Sequence, residues 1–271
     1  MDILFTCFTP CFNGGKYIHR VFESLSCQTF THYEWIIVND GSTDNTDEII
    51  QDLIFRYKKI LKQIIYINQE RSGKHMAWNK AVLIAKGKYF IPCDCDDSFV
   101  PYTLEFFRKK IKLHTNITML SGINVCCYNP IDNKIHGTPY INDGLISNNI
   151  ELDYKYHIKG EHWGAVKTQL LKDIPFPQIK GHFYSENYLW YSLALKGYKV
   201  ICYNKPLRAY YCTPTSLVNN RKKDKNRFLM FAKYYWWCFS SAGSMIAECS
   251  KKEWLIIGLR SFSNFLKYTI S

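Results

Sequence analysis

The sequence lacks the signals of an exported or zinc-binding protein. Its first residues contain neither a basic segment nor a cleavage-like site, so we expect no secretory signal peptide. Its 11 cysteines do not have zinc spacing, because no second pair with histidine follows Cys7 and Cys11. We therefore expect reduced, buried thiols in a cytoplasmic protein. No internal repeat occurs, which argues against a repeat architecture.

Acidic residues are scarce relative to basic ones. The 271 residues contain 23 Asp and Glu against 35 Lys and Arg, for a net charge of +12. This excess favours an anionic partner, such as nucleic acid, an anionic membrane or a phosphate-bearing substrate. Much of it lies at the end, where residues 207–271 contain eleven basic and three acidic residues. The length fits one large α/β domain, with or without an appendage.

Apolar runs alternate with helical patterns over the first hundred residues. The patterns predict strands at 3–8, 33–38, 64–68 and 89–93 and helices at 16–27, 47–59 and 74–86. This alternation predicts a parallel, doubly wound sheet, whose ligands bind at the carboxyl ends of the strands. The polar loops 9–15, 39–44 and 94–97 should then lie on one edge.

The segment Asp94-Cys95-Asp96-Asp97 is the most informative of these loops. Three carboxylates after an apolar strand repel one another and are costly to bury unpaired. A divalent cation removes that cost, and Mg²⁺ or Mn²⁺ prefers carboxylate oxygen while leaving positions for phosphate oxygens. The segment favours a metal that holds a nucleotide diphosphate.

The second half has a less regular pattern. It predicts helices at 101–114 and 186–196, strand-like runs within 116–128, loops over 129–149, and strands at 163–166 and 198–202.

Several motifs in order resemble family 2 glycosyltransferases of the GT-A fold. They are Thr9-Pro10-Cys11-Phe12-Asn13-Gly14-Gly15, the segments 23–30 and 35–44, Gly73, Asn79, the segment 85–89, and Asp94-Cys95-Asp96-Asp97; residues 186–200 resemble the family's acidic catalytic helix. The resemblance implies an α/β fold with a mixed, Rossmann-like sheet flanked by helices. The composition of the C-terminal residues adds a basic, aromatic helical extension to this fold. Residues 1–98 would form the nucleotide-sugar-binding half, 99–206 the acceptor-binding and catalytic-base half of the same domain, and 207–271 the tail.

The resemblance also implies the reaction, a hexosyltransferase-type transfer from a UDP-sugar to an acceptor hydroxyl with inversion. Mn²⁺ or Mg²⁺ would stabilise the departing diphosphate. By similarity, Asp96 is the main metal ligand and Asp94 faces the ribose or the metal. Asp97 either supports this cluster or lies near the sugar.

The nucleotide site follows from the same resemblance. Asp40 would accept a hydrogen bond from the uracil imide, which suits an acceptor-only carboxylate. Thr9 and Pro10 would line the base through backbone contacts. Asn13 and the two glycines after it would permit positive φ angles and a close approach of the loop. Arg71 or Lys74 pairs with phosphate or uracil, or both are solvated surface charges.

The catalytic base implied by the resemblance is Glu186, which would deprotonate the acceptor hydroxyl. The family often has an acidic pair here, and Ser185 occupies the other position. His162, Trp163 and His182 are predicted to contact the acceptor, although Trp163 fits the core equally well.

The tail combines the basic run 221–227 with the aromatic segment 228–239, followed by a stripe of Leu255, Leu259, Phe262 and Leu266. This pattern is typical of a helix on an anionic membrane surface, or of helices packed on the catalytic domain. Membrane contact at the inner face of the cell membrane would suit a lipid-linked saccharide acceptor, in bacterial surface polysaccharide or glycolipid synthesis.

Two other classes of function stay open, a nucleic-acid-binding protein and a metal-dependent nucleotidyltransferase. No nucleic-acid-binding motif supports the first, and we expect no nucleic-acid partner; a poor phosphate loop weakens the second.

Overall fold

The computed structural model describes residues 3–61, 63–179, 184–211 and 225–270, without the side chains of 225–227 and 270. In these residues one mixed sheet has the path β3-β2-β1-β4-β9-β6-β10-β5, and β7 and β8 pair with β6 and β10. The strands are β1 Phe5–Cys11, β2 Tyr33–Asp40, β3 Ile64–Gln69, β4 Tyr89–Pro92, β5 Ser98–Phe99, β6 Leu120–Tyr128, β7 Ile135–His136, β8 Leu145–Ser147, β9 His162–Lys167 and β10 Lys199–Ala209. The helices are α1 His19–Ser26, α2 Thr46–Tyr57, α3 Lys74–Ile84, α4 Thr103–Leu113, α5 Asn149–Tyr154, α6 Thr168–Lys172, α7 Asn187–Leu195, α8 Lys225–Ser240, α9 Gly243–Cys249 and α10 Lys251–Ile270.

The first four strands are parallel, as the alternation predicts. β1 lies between β2 and β4, and β3 continues the sheet beside β2. Every residue of β1 is buried, because helices cover both faces of a parallel sheet and a continuous apolar run suits that position. The loops after β1, β2 and β4 therefore leave the sheet at the same edge.

The strand β9 is antiparallel and joins the two halves of the sheet. It pairs with β4 on one side and β6 on the other. Gly164 on β9 and Gly122 on β6 are required by this pairing, since a Cβ on either would collide with the backbone of the opposite strand. Periodicity predicts a strand here but not its direction, which depends on contacts far apart in the chain.

Two predicted details differ from the structure. The segment 129–149, predicted as loops, contains the short strands β7 and β8. The strand predicted to end at residue 202 continues as β10 to Ala209, with register shifts on both sides of Pro206. Proline is tolerated at such irregularities, so its presence does not end the strand. The predicted boundaries after 98 and 206 fall inside β5 and β10.

The tail packs on the catalytic domain through α8. The rings of Tyr234 and Tyr184 lie 6.3 Å apart, and those of Trp237 and Tyr188 lie 4.9 Å apart. α10 packs in turn on α8, where Trp254 stacks on Phe239 at 4.8 Å. No helix in the described ranges is both long enough and apolar enough to cross a bilayer.

Candidate active site

The loop after β1 is fastened to the loop after β2. Asn13 has a φ of 51°, and its side-chain oxygen accepts a hydrogen bond from the Thr43 backbone N–H at 2.8 Å. The two glycines after Asn13 do not adopt positive φ, contrary to expectation. Gly14 is needed for space instead, because a Cβ there would lie 2.6 Å from Cys95 Sγ and 2.7 Å from Cys11 Sγ. The absent side chain lets the β1 and β4 loops approach.

Thr9 and Pro10 lie within β1 itself, and both are buried. The Thr9 hydroxyl accepts a hydrogen bond from Trp35 Nε1 at 3.0 Å. The Thr9 side chain therefore stabilises the core. The backbone of Thr9 and Pro10 is the part that could contact a nucleotide base.

Asp40 ends β2, and its side chain is 3% exposed. One carboxylate oxygen accepts from Gln69 Nε2 at 2.7 Å and the Ser72 N–H at 2.8 Å. The other accepts from Arg71 Nη1 at 2.9 Å and the Gly73 N–H at 2.8 Å. Four donors match the acceptor capacity of a carboxylate, so Asp40 fixes the β3–α3 loop. Sequence reasoning missed Gln69, although it ends β3 directly beside Asp40.

Arg71 lies on an exposed aromatic ring beside Asp40. Its guanidinium carbon is 3.3 Å from the centre of the Phe12 ring, and such a pair is favourable when partly desolvated. Burial lowers the pKa of Arg71, while Asp40 acts in the opposite direction. The motif around Phe12 is part of the family pattern, but the pattern alone does not indicate this stacking.

Lys74 joins the acidic segment to the predicted base. It is the first residue of α3, and its Nζ lies 2.8 Å from Asp94 Oδ1 and 2.9 Å from Glu186 Oε1. Burial opposes the charge of Lys74, but the two carboxylates raise its pKa above the usual range. Burial likewise opposes ionisation of Asp94, but Lys74 and Arg208 lower its pKa below the usual value. The structure thus brings together Lys74, Asp94 and Glu186, which are distant in sequence.

Asp97 points inward from the same turn. Its Oδ1 accepts a hydrogen bond from the Tyr211 N–H at 3.2 Å, and Arg208 Nε lies 3.5 Å from its Oδ2. Arg208 also pairs with Glu161, at 3.3 Å. Burial raises the pKa of Asp97 to about 7, although Arg208 acts to lower it. Asp97 is buried, and these contacts tie the turn to β10 and to Tyr211. No sequence pattern singled out Arg208, a lone arginine in a strand.

Asp96 is half-buried, and Arg20 Nη1 donates to its backbone carbonyl at 3.1 Å. Among the residues that the structure describes, no three or more His, Cys, Asp or Glu side chains are grouped to bind one metal. Mg²⁺ in nucleotide enzymes commonly takes one or two carboxylates, with phosphate and water completing its shell. The oxygen donors of Asp94 and Asp96 fit such a cation.

The structure describes two of the three residues predicted to contact the acceptor, Trp163 and His162. Trp163 is 5% exposed, stacks on Phe99 at 4.8 Å and contacts Phe107 edge-on. The ring of Trp163 therefore packs in the core, which is one of the two settings that the sequence left open. His162 is hydrogen-bonded to the Thr138 carbonyl at 2.8 Å, and burial lowers its pKa. His182 lies outside the described residues.

A small cleft borders the predicted base instead. It is lined by Lys74, His75, Trp78, Phe176, Tyr184 and Glu186. Sequence reasoning missed Trp78 and Phe176, whose helical and apolar settings are typical of core residues.

The mixed sheet flanked by helices has the arrangement of the GT-A fold. S. aureus TarS 1-349 in complex with UDP-GlcNAc has this fold with a TM-score of 0.66 at 20% identity, over 88% of this chain and 67% of that chain. The mannosyltransferase PcManGT from Pyrobaculum calidifontis, in complex with GDP-Man and Mn²⁺, has a TM-score of 0.62 at 15% identity, over 98% and 75% of the two chains.

Residues 6–174 match the model of glycosyl transferase family 2. This match spans more than half of the chain, which therefore belongs to that family and is a glycosyltransferase. This family membership supports glycosyl transfer over the two other classes of function, nucleic-acid binding and nucleotidyl transfer.

Curated relatives agree with this family. A protein of Bacillus subtilis (strain 168), named as a teichuronic acid biosynthesis glycosyltransferase (TuaG), is 29% identical over 79% of this chain and 81% of its own length. The glycosyltransferase GlyA of Streptococcus pneumoniae serotype 4 is 26% identical over 80% of this chain but only 32% of its own length. The chain thus spans most of the first relative and about a third of the second.

Proposed function

We propose that this glycosyltransferase moves a sugar from a UDP-sugar to a hydroxyl of a saccharide or lipid-linked saccharide, with inversion at the anomeric carbon. The observation that carries the proposal is the contact of one ammonium, Lys74, with both Asp94 and Glu186. It brings the acidic donor segment and the proposed base to the same place. The names of TuaG and of the TarS complex support surface polysaccharide synthesis and a UDP-sugar donor.

The nucleotide base would bind beside Asp40 and Arg71, next to the ends of Thr9, Pro10 and Asn13. All four acceptor positions of Asp40 are in use, so an imide N–H must displace one donor. Arg71 is the donor that can move, because its side chain is 43% exposed, whereas two of the others belong to the backbone. The Phe12 ring beneath Arg71 would then offer an apolar face to the base.

The proposal includes Mn²⁺ or Mg²⁺ held by Asp96 and Asp94. When bound, the cation would stabilise negative charge on the leaving diphosphate. Asp94 would have to exchange Lys74 for this cation, and Lys74 would become free to pair with a phosphate oxygen. Arg208 and Asp97 would keep the turn in place when the cation is bound.

Glu186 would act as general base in a single displacement. The acceptor oxygen bonds to the anomeric carbon as the bond from that carbon to the diphosphate oxygen breaks, and the acceptor proton passes to Glu186. An inverting displacement needs no nucleophile from the chain.

Peripheral contact with an anionic membrane at its inner face belongs to the same proposal. It would suit a lipid-linked acceptor, and the basic tail supports it.

Calorimetry of UDP binding tests the donor site first. We expect binding that strengthens with Mn²⁺ in the wild type and is lost in Asp96→Ala. Asp132→Ala, which removes an exposed acid from another loop, is the matched control and should bind normally. If UDP binds under no metal condition, the donor assignment fails; if binding occurs, a UDP-sugar panel identifies the sugar.

A further inference from the structure

We propose that the outer stripe of α10 rests on the surface of an anionic lipid bilayer. The outer stripe consists of Leu255, Leu259, Phe262 and Leu266, which are 56%, 68%, 61% and 41% exposed. Monomeric soluble proteins rarely leave so continuous an apolar surface uncovered. This inference rests on the membrane contact included in the proposed function and deepens it, because it names the surface that makes the contact.

The opposite face of α10 is already occupied. Ile257 is buried, and Ser261 Oγ donates to the Ala232 carbonyl of α8 at 2.9 Å. A Cβ on Gly258 would lie 2.9 Å from the Phe239 ring, so the two helices approach closely. α10 cannot rotate its outer stripe inward without losing these contacts.

The stripe forms one narrow line along the helix. At 3.6 residues per turn its four side chains fall within an arc of about 60°. A helix lying in the membrane interface has this arrangement, with an apolar line facing the acyl chains and polar residues on the remaining surface.

The exposed charges of α10 are mostly those that an anionic surface attracts. Lys251, Lys252, Arg260 and Lys267 are all exposed. Glu253 is the one acidic residue of this helix. Each basic residue near an anionic membrane strengthens binding about fivefold.

A second copy of the chain fits the stripe less well. Paired helices fix their register with charged residues on either side of the apolar line. Between Leu255 and Leu266 those flanking positions are Ile256, Gly258, Ser263 and Phe265, and none is charged. A bilayer needs no such register.

Vesicle sedimentation tests the proposal. We expect the wild type to sediment with phosphatidylcholine vesicles containing phosphatidylglycerol, but not with phosphatidylcholine alone, and to dissociate at high salt. Leu259→Ser with Phe262→Ser should weaken binding by at least about 100-fold. Arg260→Gln with Lys267→Gln should weaken it roughly 30-fold.

Phe55→Ser with Leu83→Ser is the matched control, since these residues are 66% and 73% exposed on other helices. It should bind vesicles like the wild type, and all variants should keep wild-type circular dichroism and UDP affinity. Absence of vesicle binding, or equal loss in the control, would overturn the proposal. So would a vesicle-free dimer, seen by sedimentation equilibrium and abolished by the stripe variant, because the occupant would then be a second copy. Since vesicle binding needs no donor, its failure would leave the UDP result intact.

Discussion

Replacing Lys74 by methionine should leave Asp94 and Glu186 facing each other without a counter-charge. Their oxygens lie less than about 6 Å apart, because Lys74 Nζ is 2.8 Å from one and 2.9 Å from the other. At an effective dielectric constant near 20, two such charges repel by about 3 kcal/mol. Both side chains are about a third exposed, so screening should reduce this to roughly 1–2 kcal/mol. Wild-type Lys74 offsets this repulsion with two partly exposed ion pairs of about 0.5–1 kcal/mol each, so we expect Lys74→Met to lower the free energy of unfolding by roughly 1–2 kcal/mol.

The same change should strengthen the binding of metal to the nucleotide-free protein. Without Lys74, a cation no longer competes with an ammonium for Asp94. Mn²⁺ alone should therefore raise the melting temperature of Lys74→Met more than that of the wild type, because a ligand bound to the native state stabilises it. UDP affinity in the presence of Mn²⁺ should fall, because the proposed phosphate partner is gone.

Urea denaturation and thermal melts, each with and without Mn²⁺, measure these effects. Lys80→Met is the matched control, because it removes an exposed lysine from the same helix and should change neither stability nor metal response. Adding Glu186→Gln to Lys74→Met should recover part of the lost stability by removing one of the repelling charges. If Lys74→Met were as stable as the wild type and responded to Mn²⁺ equally, the proposed competition between ammonium and metal would be wrong.

Three further predictions concern other parts of the site. Gly14→Ala should cost about 1–3 kcal/mol of stability by overpacking against Cys95, and it should weaken UDP binding. Adding Cys95→Ala to the same chain should restore part of the stability and part of the UDP affinity. No recovery would show that the contact with Cys95 is not the cause. Trp163→Phe should lower stability by about 1–2 kcal/mol, which is a fraction of the cost of truncating a buried tryptophan to alanine. It should leave UDP binding and transfer kinetics unchanged. A selective rise in the acceptor KM would instead place Trp163 in the acceptor site. Burial lowers the pKa of His162, so as the pH falls the unfolded chain binds this proton before the folded chain does. Stability should therefore fall as the pH drops below about 6.5. His162→Gln should flatten that part of the stability–pH curve, and an unchanged slope would refute the assignment.

The local sequence pattern was sufficient to predict the parallel half of the sheet. Each of its strands is a short apolar run, and the helices between the strands have an apolar stripe. The spacing of apolar residues and the turn residues therefore locate these strands and helices in the sequence. The structure confirms the mixed α/β fold and places the polar loops after β1, β2 and β4 at one edge. The direction of β9 was not predictable, because it depends on backbone approach at Gly122 and Gly164 across 42 positions of the chain.

A motif predicts which residue types the site needs, whereas burial and side-chain partners depend on tertiary packing. The motifs indicated Asp40, Asp94 and Glu186, but not that Lys74 bridges the last two. Sequence alone left Trp163 equally suited to the core and to a sugar, and its stacking on Phe99 decides for the core. Whether an aromatic residue faces a cleft or the interior depends on tertiary packing.

The contacts of α8 have a consequence for how the molecule unfolds. Tyr234 packs on Tyr184 and interacts with the Ser185 side chain, directly before Glu186. The tail therefore shares its core with the catalytic half, and neither should melt alone. Three of the seven tryptophans, Trp236, Trp237 and Trp254, belong to the tail. Tryptophan fluorescence and far-ultraviolet circular dichroism should consequently report one coincident, cooperative transition.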